Sequence, residues 1–206
     1  MKNQKALTLL GDSIIDNKFY VKNGEYSVTE HIKNVSSFQV KMIAVDGDTT
    51  KEVLSNQIEK IPNSSTHIVL SVGGNDLLQN LDMLFLESES MLSSLEASFD
   101  LVASIHEKYE TIIENLLQHN TKILLCTVYE GDLESDLSLA RVNKAGQSLL
   151  KMFNDTIYFL SNKYNLNVLE LRNIFTEKTD YANPIEPSHI GGEKLANQIV
   201  EWVNLD

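Results

Sequence analysis

Short apolar runs alternate with longer amphipathic stretches along this chain. Residues 6–10 (Ala-Leu-Thr-Leu-Leu) are long enough for one buried strand. Residues 38–45 alternate at first and are then continuously apolar, and residues 66–72, 122–129 and 165–171 give three more runs of strand length. Between them the spacing predicts helices: one beginning at residues 14–20 and broken by Asn23-Gly24, and a polar one at 29–34. A third runs to about Lys60 and is closed by Pro62. Residues 77–89 are mixed, suiting a short helix and a mobile lid. Over 91–119, Leu95, Phe99, Val102, Ile105, Tyr109, Ile112, Ile113, Leu116 and Leu117 repeat at helical spacing, which predicts a long helix with one stripe against a sheet. Helices at 133–164 and 191–203 complete the pattern, with a loop at 172–189 that carries two of the three prolines. Strands alternating with helices, without hairpin signals, predict a three-layer α/β/α sandwich around a five-stranded, flavodoxin-like parallel sheet.

Composition narrows this picture. The 206 residues suit a single domain spanning 1–206, and 42% apolar content is enough for a proper core. A net charge of −12 argues against nucleic acid or an anionic membrane as the main partner, because both call for basic patches. The apolar run after the amino-terminal lysines is too short for a signal-peptide core, and no stretch has the length of a membrane-spanning helix. The expectation is a cytoplasmic protein without membrane insertion. Cys126 is alone, so no internal disulfide or cysteine metal site is expected, and its apolar surroundings predict a buried packing role.

The polar clusters all follow strands. Gly11-Asp12-Ser13 follows the first, Asp46-Gly47-Asp48 the second and Gly73-Gly74-Asn75-Asp76 the third. The last loop, with Glu186 and His189, follows the fifth. In a parallel α/β sheet these segments meet at the carboxyl edge of the strands, where ligands bind. Ester hydrolysis needs a nucleophile, a base and donors for a developing oxyanion. Ser13 can be the nucleophile, and the N–H groups of Ser13 and Gly47 with the Asn75 amide can be the donors. Asp12 and Gly74 flank them as candidate substrate-binding residues, and glycine at 47 and 74 lets backbone approach a substrate closely. Asp12, Asp16 and Asp76 also suit helix capping and loop bracing. His67 begins its strand and reads as structural, whereas His106 and His119 read as solvated helix residues. No spacing supports a metal site, and no cofactor is expected.

These blocks resemble the SGNH hydrolases, also called GDSL esterases and lipases. That family carries a Gly-Asp-Ser turn, a glycine in the second loop, a Gly-x-Asn-Asp loop and a late Asp-x-x-His. The resemblance covers essentially the whole chain. It implies the SGNH hydrolase fold, a serine esterase route through an acyl-enzyme, and a small ester or acetylated molecule as substrate. Ser13 falls on the family nucleophile, Gly47 on the oxyanion glycine and Asn75 on the oxyanion asparagine.

The fourth block departs from the family pattern of Asp-x-x-His-Pro-Asn with a glycine five residues after the histidine and an alanine five further on. Aligning by histidine makes His189 the base and Glu186 its orienting carboxylate, at the expense of the glycine spacing. Aligning by the helix start places Gly191 and Ala196 on the family glycine and alanine. Glu186-Pro187-Ser188 then falls on His-Pro-Asn and Asn183 on the aspartate. In that register Glu186 would itself have to serve as base, and burial would have to raise its pKa. Three functions remain open. The first is an active esterase and the second a weakened relative that binds a small ligand in the same cleft. The third, a flavodoxin-like phosphate or nucleotide binder, lacks a glycine-rich phosphate loop.

Overall fold

In the computed structural model, residues 5–135 and 140–205 are described. Five parallel strands form one sheet: β1 (Ala6–Gly11), β2 (Gln39–Met42), β3 (His67–Ser71), β4 (Lys122–Cys126) and β5 (Asn167–Leu169), in the order β2-β1-β3-β4-β5. Alternate residues of the central strands face opposite layers, which is why these runs are apolar throughout. Leu7, Leu9, Val69, Leu124 and Cys126 pack beneath α1 (Val28–Val35) and the last helix. Leu10, Ile68, Leu70, Ile123 and Leu125 pack on the opposite side, beneath α4 (Met91–Leu116) and α5 (Asn143–Tyr164). Two cores, one on each face of the sheet, give the three-layer α/β/α sandwich expected from the alternation of elements.

Register puts the candidate blocks on one edge. Gly11 pairs with Ser71 at the ends of β1 and β3, and the Asp12 N–H donates to the Ser71 carbonyl at 3.1 Å. Gly11 has φ +131°, and a Cβ there would lie 1.7 Å from the Ser71 carbonyl oxygen, so only glycine allows this approach.

Three expectations differ from what forms. The helix expected at 14–20 is a single turn, with Ile15 and Asp16 N–H groups on the Asp12 carbonyl at 3.1 and 2.9 Å. It stops because Asn17 is committed elsewhere. Its Oδ1 accepts from Val28 N–H at 2.9 Å and its Nδ2 donates to the Pro187 carbonyl at 3.1 Å. The segment before Pro62 is α-helical only at α2 (Thr50–Glu52), then takes π geometry (Val53–Gln57) and 3-10 geometry (Ile58–Lys60). In α4 the buried stripe starts at Val102; Leu95 and Phe99 are 59% and 65% exposed, and Leu117 lies just past the helix at 39%. A 26-residue helix is about 39 Å long, whereas the five-residue strands beneath it span about 17 Å. Its first turns therefore project past the sheet.

α3 (Gly74–Leu78) ends just inside the stretch 77–89, which then holds a 3-10 turn (Leu81–Phe85). The long carboxyl-terminal loop carries another 3-10 turn (Lys178–Asp180) and a Tyr181–Pro187 bridge, and α6 (His189–Leu205) follows it. Residues 136–139, within the helix expected at 133–164, lie outside the described residues. Among the described residues no helix is long and apolar enough to cross a membrane.

Candidate active site

The turn after β1 presents Ser13 at the carboxyl edge, 6% exposed. Its neighbour Asp12 turns inward and accepts the Ile14 N–H at 3.1 Å, the bracing role expected of it. Burial pushes Asp12 up to about 8; the charges of Glu186 and Asp76 push the same way, while the bond from Ile14 opposes them. Asp12 is therefore mostly protonated at neutral pH.

The loop after β2 carries Gly47 at φ +85°, a left-handed conformation suited to glycine. Beside it, the Asp46 carboxyl accepts from the Tyr20 hydroxyl at 2.8 Å, and its N–H donates to Asp16 Oδ2 at 3.2 Å. The Asn75 amide, in the first turn of α3, donates to the Asp48 carbonyl at 3.1 Å. Asp76 accepts the Thr50 N–H at 2.9 Å and its hydroxyl at 2.6 Å, joining the second and third blocks as a brace.

Gln57, fully buried, is a residue that sequence reasoning passed over. Its Oε1 accepts the Gly11 N–H at 2.9 Å, while its Nε2 donates to the Gly11 carbonyl at 2.8 Å and to Asp48 Oδ2 at 2.7 Å. One amide thus ties the end of β1 to the second loop. A glutamine in a mixed polar and apolar segment offers no motif; its only signal is that it breaks the apolar face.

The carboxyl-terminal loop brings Glu186, not His189, to Ser13. Glu186 is 5% exposed, and the Ser13 side chain beside its carboxyl favours the ionised form. Its Oε2 is buried without a partner among the described residues. Burial pushes the carboxyl up to about 7, against the lowering effect of Ser13 and with help from the Asp46 charge. The loop around it is tightly held. Asn183 Oδ1 accepts the N–H groups of Ile185 and Glu186, both at 3.0 Å, and the Tyr129 hydroxyl donates to the Ile185 carbonyl at 2.6 Å.

His189 opens α6 and faces α1. Its Nδ1 accepts the Tyr26 N–H at 3.0 Å and lies 3.0 Å from His31 Nε2. The expected pairing of its ring with Ser13 is not among its hydrogen bonds, because the helix begins at the histidine itself and turns the ring toward α1. Glu186 beside Ser13, with His189 turned away, is the arrangement that aligning by the helix start describes. Gly191 packs so closely that a Cβ would lie 2.2 Å from the Asp180 carbonyl oxygen, and Ala196 is fully buried. His67 is buried at the start of β3, with an edge-on contact to Trp202 at 5.3 Å, the structural role expected of it. His106 is partly buried, 3.8 Å from Glu110 and against the Phe159 ring, rather than freely solvated.

A cleft opens from Ser13, Gly74 and Asn75 toward a wall of leucines and Val128. Among the described residues, no group of three or more His, Cys, Asp or Glu side chains is arranged to hold a metal ion.

The family profile described as GDSL-like lipase/acylhydrolase matches residues 7–199. No curated protein matches the sequence at a significant level. Solved structures resemble the fold at low identity. A phospholipase A1 from Streptomyces albidoflavus is 14% identical, with TM-score 0.70 over 96% of this chain and 98% of that one. A lipase from a goat rumen metagenome is 19% identical, with TM-score 0.70 over 95% and 96%. A lipolytic G-D-S-L protein from Veillonella parvula is 16% identical, with TM-score 0.68 over 96% and 97%. With the profile spanning nearly all of the sheet and its helices, the chain belongs to the GDSL-like lipase/acylhydrolase family.

Proposed function

We propose that this protein is a serine acyl hydrolase for small-molecule esters in which Glu186 takes the part a histidine plays elsewhere in the family. The observation that carries this reading is the Glu186 carboxyl, buried against Ser13 and raised to about 7, near the pH at which a general base works best. As Ser13 Oγ bonds to the ester carbonyl carbon, its proton passes to the Glu186 carboxylate. The carbonyl electron pair moves onto oxygen, where the N–H groups of Ser13 and Gly47 and the Asn75 amide are available to receive the charge. Collapse expels the alcohol oxygen, which takes the proton back from Glu186 and leaves an acyl-serine. Water then attacks the acyl carbon, again giving its proton to Glu186, and the acid leaves as Ser13 recovers its own. Asp12, protonated at neutral pH, places no competing buried charge beside the base.

Turnover of p-nitrophenyl butyrate from pH 5 to 9 tests this. The wild type should gain kcat/KM as pH rises through about 7, since only the ionised Glu186 accepts a proton. Ser13→Ala should abolish turnover, Glu186→Gln should lower it by about 10²–10⁴, and His189→Ala should remain active. The opposite ranking of the last two would make the histidine the base. A wild type that neither turns over nor forms an acyl adduct on Ser13 by mass spectrometry would instead support a ligand-binding protein.

A further inference from the structure

Resting on that reading, we propose that the apolar end of the cleft is an acyl-chain pocket whose length is set by Gly146, and that the preferred substrates are medium-chain acyl esters rather than acetates. Besides Ser13 and Asn75, the cleft is lined by Leu78 and Leu81, by Val128 and Leu133, and by Leu150 and Gly146 of α5. An acetyl group would leave most of this surface facing water. A longer chain covers it, gaining about 0.8 kcal/mol for each methylene removed from solvent, or about fourfold in kcat/KM.

Gly146 is the unusual member of that wall. It lies in the first turns of a 22-residue helix, without the positive φ seen at Gly11, Gly24, Gly47, Gly73 and Gly131. Glycine inside a helix is worse than alanine by about 1 kcal/mol. A Cβ at this position would meet only Leu81 Cδ2, at 3.9 Å, an ordinary contact. Neither backbone conformation nor packing therefore demands glycine. What its missing side chain leaves is space in the cleft, opposite Leu81.

The test compares kcat/KM for p-nitrophenyl acetate, butyrate and octanoate in wild type, Gly146→Ala and Gly146→Leu. The wild-type octanoate-to-acetate ratio should be well above unity, at about fourfold per methylene that fits. Gly146→Leu should lower that ratio by about 60-fold, as about three methylenes lose their place at about fourfold each. Gly146→Ala should lower it less while raising Tm, which separates filled space from misfolding. In parallel, binding of a fluorescent fatty acid to Ser13→Ala and to Ser13→Ala/Gly146→Leu needs no catalysis, and the leucine should weaken it. A ratio near unity in the wild type, or one unmoved by Gly146→Leu, overturns the pocket while leaving the hydrolase reading intact. Fatty-acid binding that leucine weakens, in a protein without esterase activity, upholds the pocket and sinks the hydrolase reading.

Discussion

At the scale of single residues, Asn75 separates chemistry from architecture. Its side chain has two N–H donors, and one is committed to the Asp48 carbonyl. Losing that tie costs about 1 kcal/mol, or about 2–4 °C in Tm for a chain of this size. If the amide also meets the oxyanion, Asn75→Ala should lower kcat by about 10²–10³, or about 2.7–4 kcal/mol of transition-state stabilisation. Parallel measurement of Tm and kcat checks this: a loss of activity no larger than the loss of stability would reduce Asn75 to a brace. The strand-end placement of Ser13, Gly47 and Asn75 was legible in the sequence because each follows an apolar run of strand length. Gln57 was not legible, since nothing local distinguishes a buried clamp from a surface glutamine.

At the scale of elements, α1 and α6 are fastened by a pair of histidines. Tyr26 N–H donates to His189 Nδ1, and the same nitrogen lies 3.0 Å from His31 Nε2. Burial and the neighbouring His189 ring hold His31 below its ordinary value, against a raising influence from Glu193 and Glu30. The sign follows from linkage. A histidine depressed in the folded state contributes stability that is complete above about pH 6.5, its unfolded value, and is lost as pH falls through the folded value. Thermal melts should show wild type more stable than His189→Ala by about 0.5–1.5 kcal/mol at pH 8, with the gap narrowing at pH 5. A gap that stays constant with pH would disconnect His31 titration from this fastening. The helix at 91–116 offers a further lesson at this scale. Its periodicity correctly marks one apolar face, but how much of that face is covered depends on the length of the sheet beneath it.

At the scale of the whole molecule, two carboxyls are kept in the fold against their own ionisation. Asp12 is raised to about 8 and Glu186 to about 7, both chiefly by burial. A raised folded value means a contribution present in full below the unfolded values near 4, and lost as pH rises through 7 and 8. The double variant Asp12→Asn/Glu186→Gln keeps an acceptor for the Ile14 N–H and removes both charges. It should gain Tm relative to wild type at pH 9 by at least about 2–4 °C more than at pH 5. Equal shifts at the two pH values would show that neither carboxyl is raised above its unfolded value. A larger gain at pH 9 would make the buried Glu186 carboxyl, the base proposed for Ser13, a source of instability in alkali.

The sequence by itself determined the architecture and the edge at which the site assembles. Parallel strand direction follows from the alternation of strands with helices, and glycine, aspartate and asparagine at strand ends mark where the chain must turn. It also narrowed the fourth block to two registers. Choosing between them depended on tertiary contacts. Gly191 must lie against the Asp180 carbonyl, Asn183 must cap the backbone of Glu186, and Pro187 must meet Asn17 from the other end of the chain. Those contacts join residues up to 170 positions apart, and a one-dimensional pattern has no means of ranking them. A displacement of three residues along a loop costs little in local propensity, yet it decides whether an imidazole or a carboxyl faces Ser13.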